Sequence, residues 1–538
     1  MQTITPPNTP LTIIVALEEA LQRAKCLKAQ KLTETPELSF ASKAYFQRRK
    51  AVLQTLRQAL WASRNHFAEI IAKEMHKPVH EALETDVLTA ISICDGLTSA
   101  TLHNALKPVL RGSFKMLAMG RMTWLHRRPL GIVGVITPWN YPLGTPMSAI
   151  GSAWLCGNQV LLKPSEYTPQ TAQYLVALWH EALTCHGFST DEIQCLDASR
   201  ETGEQLVRHP DMDGFCFTGS SAVGAFIRQQ SGHRPCVLEL GGSDPAIFLP
   251  SLPKESLDDA VRHVVWSRFS NAGQTCAATK RLWIPASLRT RIYEALRLHV
   301  GRLRVGDPFD PQTQVGPLVS WSQQEKAHQQ KTHALAHGAS ILVEAPLPQP
   351  TTQTDTLYPY FAPCVLIDVQ DHHQPWQEEV FAPLLSVRVY DDNALEEVLR
   401  AEITQHYALG ASVWGDDEEA LRVAEKLPAS QVGINETVMP WYAIPTVPWL
   451  ASGRSGQGAR HAQEGMHSLT RPQIITENLG WSLWHLLRKA PWLFQDSTHD
   501  MTLHRKASAE AICGSFTWGK LGHPFKLQWL WYLIKRFM

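Results

Sequence analysis

Neither sign of charge is in excess in this chain: 50 Lys and Arg stand against 50 Asp and Glu among 538 residues. Without a net field, nucleic acid is not an expected partner. The ten cysteines form no CxxC pair and no Cys/His cluster of zinc spacing, so neither a disulfide framework nor a metal site is expected. The N-terminal apolar run Leu11–Leu17 is short, follows no basic leader and precedes no small-residue cleavage site. A secretory signal is therefore not expected, and reduced thiols in the cytoplasm are. No internal repeat is present. What remains is an ordinary soluble composition, 44% hydrophobic and 19% charged, in a chain too long for one core and expected to form two or three domains.

Residues 1–10 read as disordered, and helical periodicity recurs from 11 to about 109 through Leu53, Leu56 and Leu60, then Phe67, Ile70 and Ile71. Apolar and basic residues alternate over about 113–130, as in a hairpin. Three apolar runs follow, Gly131–Ile136, Gln159–Leu162 and Gly214–Phe217, each leading into a polar loop and a helix. That grammar predicts a doubly wound α/β domain with ligands at the carboxyl ends of its strands. The alternation restarts after Glu239. The expected boundaries are 11–239 for a cofactor domain carrying the hairpin, 240–440 for a second α/β domain, 441–476 for a return to the first, and 477–538 for an extension.

Two short stretches carry chemistry. Asn271-Ala272-Gly273-Gln274-Thr275-Cys276 places a thiol after a Gly-Gln turn, and Glu239-Leu240-Gly241-Gly242 places a carboxylate on a flexible hinge 37 residues earlier. A lone cysteine is usually a small buried hydrophobe. Here the pair suggests a nucleophile and a base for water, hence covalent catalysis through a thioester.

The order of motifs sharpens this reading. Pro138-Trp139-Asn140-Tyr141-Pro142, Lys163-Pro164-Ser165-Glu166, Phe217-Thr218-Gly219-Ser220, Glu239-Leu240-Gly241-Gly242, Asn271 to Cys276 and Glu379-Val380-Phe381-Ala382-Pro383 occur collinearly. Asn435 and Ser455-Gly456-Gln457-Gly458 follow. Over about residues 35–475 the chain resembles the NAD(P)-dependent aldehyde dehydrogenase superfamily. The resemblance implies an α/β fold of two doubly wound domains, a small bridging β element that builds homodimers or homotetramers, and oxidation of an aldehyde to a carboxylate. It implies Cys276 as nucleophile, Glu239 as base and Asn140 as oxyanion donor. It further implies NAD, with NADP as an alternative, held by Ile136, Pro138, Trp139, Lys163, Glu166, Gly219, Ser220, Glu379 and Phe381. A carboxylate at Glu166 repels a 2′-phosphate and favours NAD.

The chain departs from the family pattern at several positions. Ser243 and Ala149 stand where many relatives carry lysine, a glutamate that assists proton relay is matched to Arg471, and Pro448-Trp449-Leu450-Ala451 replaces Pro-Phe-Gly-Gly. A relative that passes the thioester to CoA, and a non-catalytic scaffold, are the alternatives; Glu239 argues against the first and the intact triad of Asn140, Glu239 and Cys276 against the second. Trp139, Tyr141, Trp441, Tyr442 and Trp449 suggest an aromatic entrance for an apolar or aromatic aldehyde. In the extension, Trp481–Lys489 and Lys526–Met538 each put tryptophan and leucine on one arc and basic residues on the other. Neither is long enough to span a bilayer. They suit interfacial helices on an anionic membrane, or helices docked on protein.

Overall fold

The apolar runs become central parallel strands because every residue in them is shielded on both faces. Ile132–Ile136 and Gln159–Lys163 are buried throughout, and Gly214–Thr218 is buried except at its last residue. The computed structural model describes residues 13–33, 42–112, 116, 120–348 and 358–479. The readings for residues 1–10 and for the amphipathic extension beyond 479 fall outside them. Among the described residues, no helix is long and apolar enough to cross a membrane.

The first sheet has seven strands in the order Ile14–Val15, Ile193–Leu196, Gln159–Lys163, Ile132–Ile136, Gly214–Thr218, Cys236–Glu239, Gly456–Gln457. All neighbours are parallel except the last, which runs antiparallel to Cys236–Glu239. The chain moves outward one way from Ile132–Ile136 and then returns to its other side at Gly214–Thr218. The strand order therefore reverses between these two, and such reversals open a crevice at the strands' carboxyl ends. Strand Ile14–Val15 was not anticipated; it pairs with Cys195 and Leu196 at the sheet edge.

The second sheet also has seven strands, in the order Ser340–Glu344, Cys364–Ile367, Leu384–Tyr390, Thr279–Pro285, Asp244–Phe248, Gly410–Trp414, Gln431–Ile434. Only Ser340–Glu344 is antiparallel to its neighbour. Both sheets belong to one compact unit, drawn from the described residues of 13–107 and 127–471, while the described residues of 108–126 and 472–479 belong to a second. Most of the three-stranded sheet of Thr470–Asn478, Arg121–Pro129 and Val109–Arg111, with Arg121–Pro129 in the middle, lies in the second unit. The hairpin expected at 113–130 thus begins earlier. Pro108 closes helix Ala100–Leu106, and Val109–Arg111 pairs antiparallel with Thr123–Leu125.

Under the second sheet lies a buried ion pair. Arg281 donates to both carboxylate oxygens of Glu402 at 2.7 Å and also to the Ser243 carbonyl, while the Trp283 indole donates to Glu402 at 2.7 Å. Every charged atom is satisfied, so the pair ties strand Thr279–Pro285 to helix Leu395–Thr404 and to the segment after Gly242. Removing one partner leaves a buried charge alone. Glu402→Ala is expected to cost about 3–5 kcal/mol, seen as a lower midpoint in thermal or urea unfolding. An unchanged midpoint would contradict this account.

Candidate active site

Glu239 is the last residue of its strand in the first sheet, and Cys276 lies three residues before strand Thr279–Pro285 of the second. Leu240–Ser243 is the passage from one sheet to the other. It passes close to its neighbours: a Cβ at Gly241 would meet the Glu379 carboxylate at 2.2 Å, and one at Gly242 the Cys276 carbonyl at 2.5 Å. Glycine at both positions is what lets the two sheet ends converge.

The turn before Cys276 is strained. Asn271 (φ 53°), Ala272 (φ 50°) and Gly273 (φ 71°) occupy the left-handed region in succession, where a non-glycine residue is disfavoured. Surrounding bonds hold it. The Asn271 backbone N–H donates to Glu81 Oε1. Its side chain donates to the Asn140 carbonyl at 2.9 Å, and Gln274 Nε2 donates back to the Asn271 carbonyl at 3.1 Å. Arg268, fully buried, donates to the carbonyls of Gly273, Val380 and Ala382. A Cβ at Gly273 would fall 2.5 Å from the Ala382 carbonyl. Lys280 closes the floor, donating to the carbonyls of Thr275 at 2.9 Å and Cys276 at 2.6 Å.

Asn140 is buried and fixed from two sides. Its carbonyl accepts from Lys77 Nζ at 3.0 Å, and its Nδ2 donates to the Gln274 carbonyl at 2.9 Å. Since an amide nitrogen carries two hydrogens, the second is left for a group in the cavity. Lys77 pairs in turn with buried Asp86, on the π-helical turn Leu83–Leu88.

A cavity of about 400 Å³ is lined by Asn140, Thr218, Glu239 and Cys276, among others. Its walls are chiefly Tyr141, Trp266, Met439, Tyr442 and Trp449, with Glu84 as a further carboxylate. Among the described residues no lysine, arginine or histidine lines it. Of the aromatics expected at an entrance, Tyr141, Tyr442 and Trp449 do line it. Trp139 instead stands edge-on to Phe381 at 5.5 Å and to Tyr167 at 6.2 Å. Trp441 is not part of the lining; its indole donates to Glu436. Trp266 and Met439 were not foreseen, because their segments carry no motif.

Burial pushes the Cys276 thiol up to about 12, against the pull of Lys280. Burial likewise raises the Glu239 carboxyl, which Arg460 and Thr218 oppose. Thr218 Oγ1 donates to Glu239 Oε2 at 2.9 Å, and Arg460 Nε lies 3.3 Å from Oε1. Arg471 is exposed, and Arg460 is the arginine that reaches this centre. The signal available was its place just after Gly456-Gln457-Gly458.

The remaining predicted residues lie at the strand ends of the first sheet, on the loops that follow them and on the segment around Glu379–Phe381. Ile136 ends its strand and is buried, with Pro138 and Trp139 half-buried just beyond it. Lys163 is buried, with Nζ 3.9 Å from a Glu166 carboxylate whose side chain is 61% exposed. Ser220 caps helix Ser221–Ser231, accepting from the Val223 N–H, and Val223 is itself exposed. The Gly219 N–H donates to the Glu239 carbonyl at 3.0 Å. Glu379 accepts from the Gly242 N–H at 3.0 Å and lies 3.8 Å from Lys280 Nζ. An uncovered helix N-terminus, an unshielded carboxylate and an apolar ring at Phe381 fit a dinucleotide.

A thiol held above its ordinary value is mostly protonated at neutral pH. Carbamidomethylation of Cys276 in the protein alone should therefore accelerate about tenfold per pH unit from 7 to 9. Peptide mass spectrometry resolves Cys276 from the other cysteines, and a plateau below pH 8 would contradict the burial argument.

Comparison with known proteins agrees with this geometry. The model of the aldehyde dehydrogenase family matches residues 16–475. A succinate-semialdehyde dehydrogenase [NADP(+)] of Deinococcus radiodurans is 32% identical over 435 residues, 79% of this chain and 85% of that protein. A benzaldehyde dehydrogenase [NAD(+)] of Pseudomonas putida is 31% identical over 371 residues, 68% of this chain and 72% of that protein. Among solved structures, an aldehyde dehydrogenase of Mycobacterium tuberculosis complexed with NAD+ aligns with a TM-score of 0.78 at 26% identity, covering 87% of this chain and 92% of that one. The chain belongs to the aldehyde dehydrogenase family and is an NAD(P)-dependent oxidoreductase that converts an aldehyde to its acid.

Proposed function

We propose that this enzyme oxidises an uncharged, apolar or aromatic aldehyde with NAD, using Cys276, Asn140 and Glu239. The observation that carries this reading is their convergence on one cavity with a largely apolar wall that includes Tyr141, Trp266, Tyr442 and Trp449 and no described cation. Cys276, as thiolate, forms a carbon–sulfur bond to the aldehyde carbon. The second N–H of Asn140 and the Cys276 backbone N–H donate to the resulting oxyanion; removing one such donor typically costs about 3–4 kcal/mol. NAD, when bound, accepts the hydride that leaves this carbon. Glu239 then takes a proton from water as the water adds to the thioester. The carbon–sulfur bond breaks, and Cys276 is released as thiolate.

Lys163 and Glu166 would hold the adenosine ribose, Ser220 and the N-terminus of its helix the pyrophosphate, and Glu379 and Phe381 the nicotinamide end. Ile136, Pro138, Trp139 and Gly219 would wall the crevice. The exposed Glu166 carboxylate supports NAD over NADP, because a 2′-phosphate there meets like charge. Homo-oligomerisation is supported by the second unit's sheet, which leaves Val109, Leu110 and Ile474 between 42% and 60% exposed.

A carboxylate-bearing aldehyde finds no described cation in the cavity and meets Glu84 and Glu239. Benzaldehyde is therefore expected to exceed succinate semialdehyde in kcat/KM by about tenfold or more, the factor that 1.4 kcal/mol provides. A preference for succinate semialdehyde would contradict the substrate class. Cys276→Ala should abolish NADH formation with both while leaving NAD binding, followed by tryptophan fluorescence, nearly unchanged. Residual turnover close to wild type would remove Cys276 from the mechanism.

A further inference from the structure

The arrangement behind Glu239 is not explained by holding the fold together. Arg460 is buried and belongs to the short strand Ala459–Arg460, which pairs antiparallel with Trp449–Leu450 in the cavity wall. Four residues earlier Gly456 pairs directly with Glu239. Gly456 has φ 131°, and a Cβ on it would lie 1.9 Å from the Leu238 carbonyl. Only glycine allows that approach, and it brings the guanidinium up behind the carboxylate.

The hydrogen bonds form a directed chain. Arg460 Nη2 donates to Thr218 Oγ1 at 2.7 Å, and Thr218 Oγ1 donates its single hydrogen to Glu239 Oε2 at 2.9 Å. With an acceptor site of the hydroxyl filled by Arg460, its hydrogen is free to point at Glu239 Oε2. Arg460 Nη1 is braced on the Thr145 carbonyl at 3.5 Å. Glu239 Oε1 behaves differently: it lies 3.3 Å from Arg460 Nε, yet neither atom makes a hydrogen bond. The positive charge is at ion-pair distance while a lone pair of Oε1 stays unused, which is the geometry a base for water requires.

The groups that face Glu239 come from four segments. They are Arg460 on its strand, Thr218 and Cys216 on Gly214–Thr218, Cys276 on its turn, and Tyr442 on Met439–Ala443. Burial drives both thiols and the phenol above their ordinary values, so each is neutral near pH 7. Among the described residues, Arg460 is therefore the cation that opposes desolvation of this carboxylate.

We propose that Arg460 is a positioning residue for the hydrolytic half of the reaction, orienting Glu239 through Thr218 and keeping its carboxylate charged. The inference rests on Glu239 being the base. It assigns Arg460 no contact with aldehyde or cofactor, so acylation and hydride transfer should proceed without it.

The test follows the first turnover and the steady state separately over pH 6–10 in Arg460→Gln, Arg460→Lys and Thr218→Val, with Glu239→Gln as reference. In Arg460→Gln the burst of NADH should remain about one per active site. The acid limb of kcat should move to higher pH by about one to three units, the effect of removing a nearby opposite charge. The sign is fixed: the cation lowers the Glu239 pKa, so its loss keeps the base protonated to higher pH. Turnover near pH 7 then falls about tenfold or more and recovers as pH rises. Arg460→Lys should shift the limb less, since the charge returns without the fork that reaches Thr218. Should Arg460→Gln fail to fold, the other two variants carry the test, and each must raise the acid limb with the burst retained.

An unmoved acid limb, or a burst and steady state that fall together at every pH, overturns the proposal and leaves Arg460 a structural role. If Glu239→Gln itself turns over past the burst, the reading of Glu239 as base fails, and the inference about Arg460 falls with it.

Discussion

A carboxylate placed where two sheets meet must be paired or protonated, because an isolated buried ion costs several kcal/mol. Glu239 sits under this constraint, and much of the local structure answers it. The antiparallel return at Gly456–Gln457 extends the first sheet past Glu239 and carries Arg460 to it. Thr218, at the end of the adjacent strand, supplies the remaining donor. The surroundings of Glu239 are thus assembled from residues far apart in sequence that become neighbours only through sheet pairing.

The turn that carries Cys276 depends on a different device. Three successive left-handed residues are unfavourable, and the turn persists because Glu81, Asn140, Gln274 and Arg268 bond to it on several sides. Asn140 serves both functions. Its backbone carbonyl anchors the turn, while its side chain reaches the cavity beside Cys276. The Lys77–Asp86 pair holds this arrangement from behind, because Lys77 also donates to the Asn140 carbonyl.

Much of this was legible in the sequence wherever local chemistry signs itself. Continuous apolar runs marked the central parallel strands, and Glu239, Cys276 and Asn140 stood in short stretches of unusual composition. The strand at Ile14–Val15 and the start of the hairpin at Val109 were missed. Both are short edge segments, and their pairing partners rather than their own residues make them strands. Arg460 was overlooked for a related reason. A lone arginine after a glycine-rich stretch is unremarkable until the register Gly456 to Glu239 is known. By residue type alone Trp139 and Trp441 suit the cavity, but Trp139 packs on Phe381 and Tyr167, and Trp441 packs against the cluster of Ala277 and Trp449.

The central claim is that Cys276 carries the substrate as a thioester which Glu239 clears. Glu239→Gln, mixed with NAD and benzaldehyde, quenched in acid and digested, tests it most directly. The account predicts a benzoyl mass increment on the peptide containing Cys276, in about equal amount to the NADH released in the first turnover. NADH release with an unmodified Cys276 peptide, or an increment on another cysteine, would contradict it.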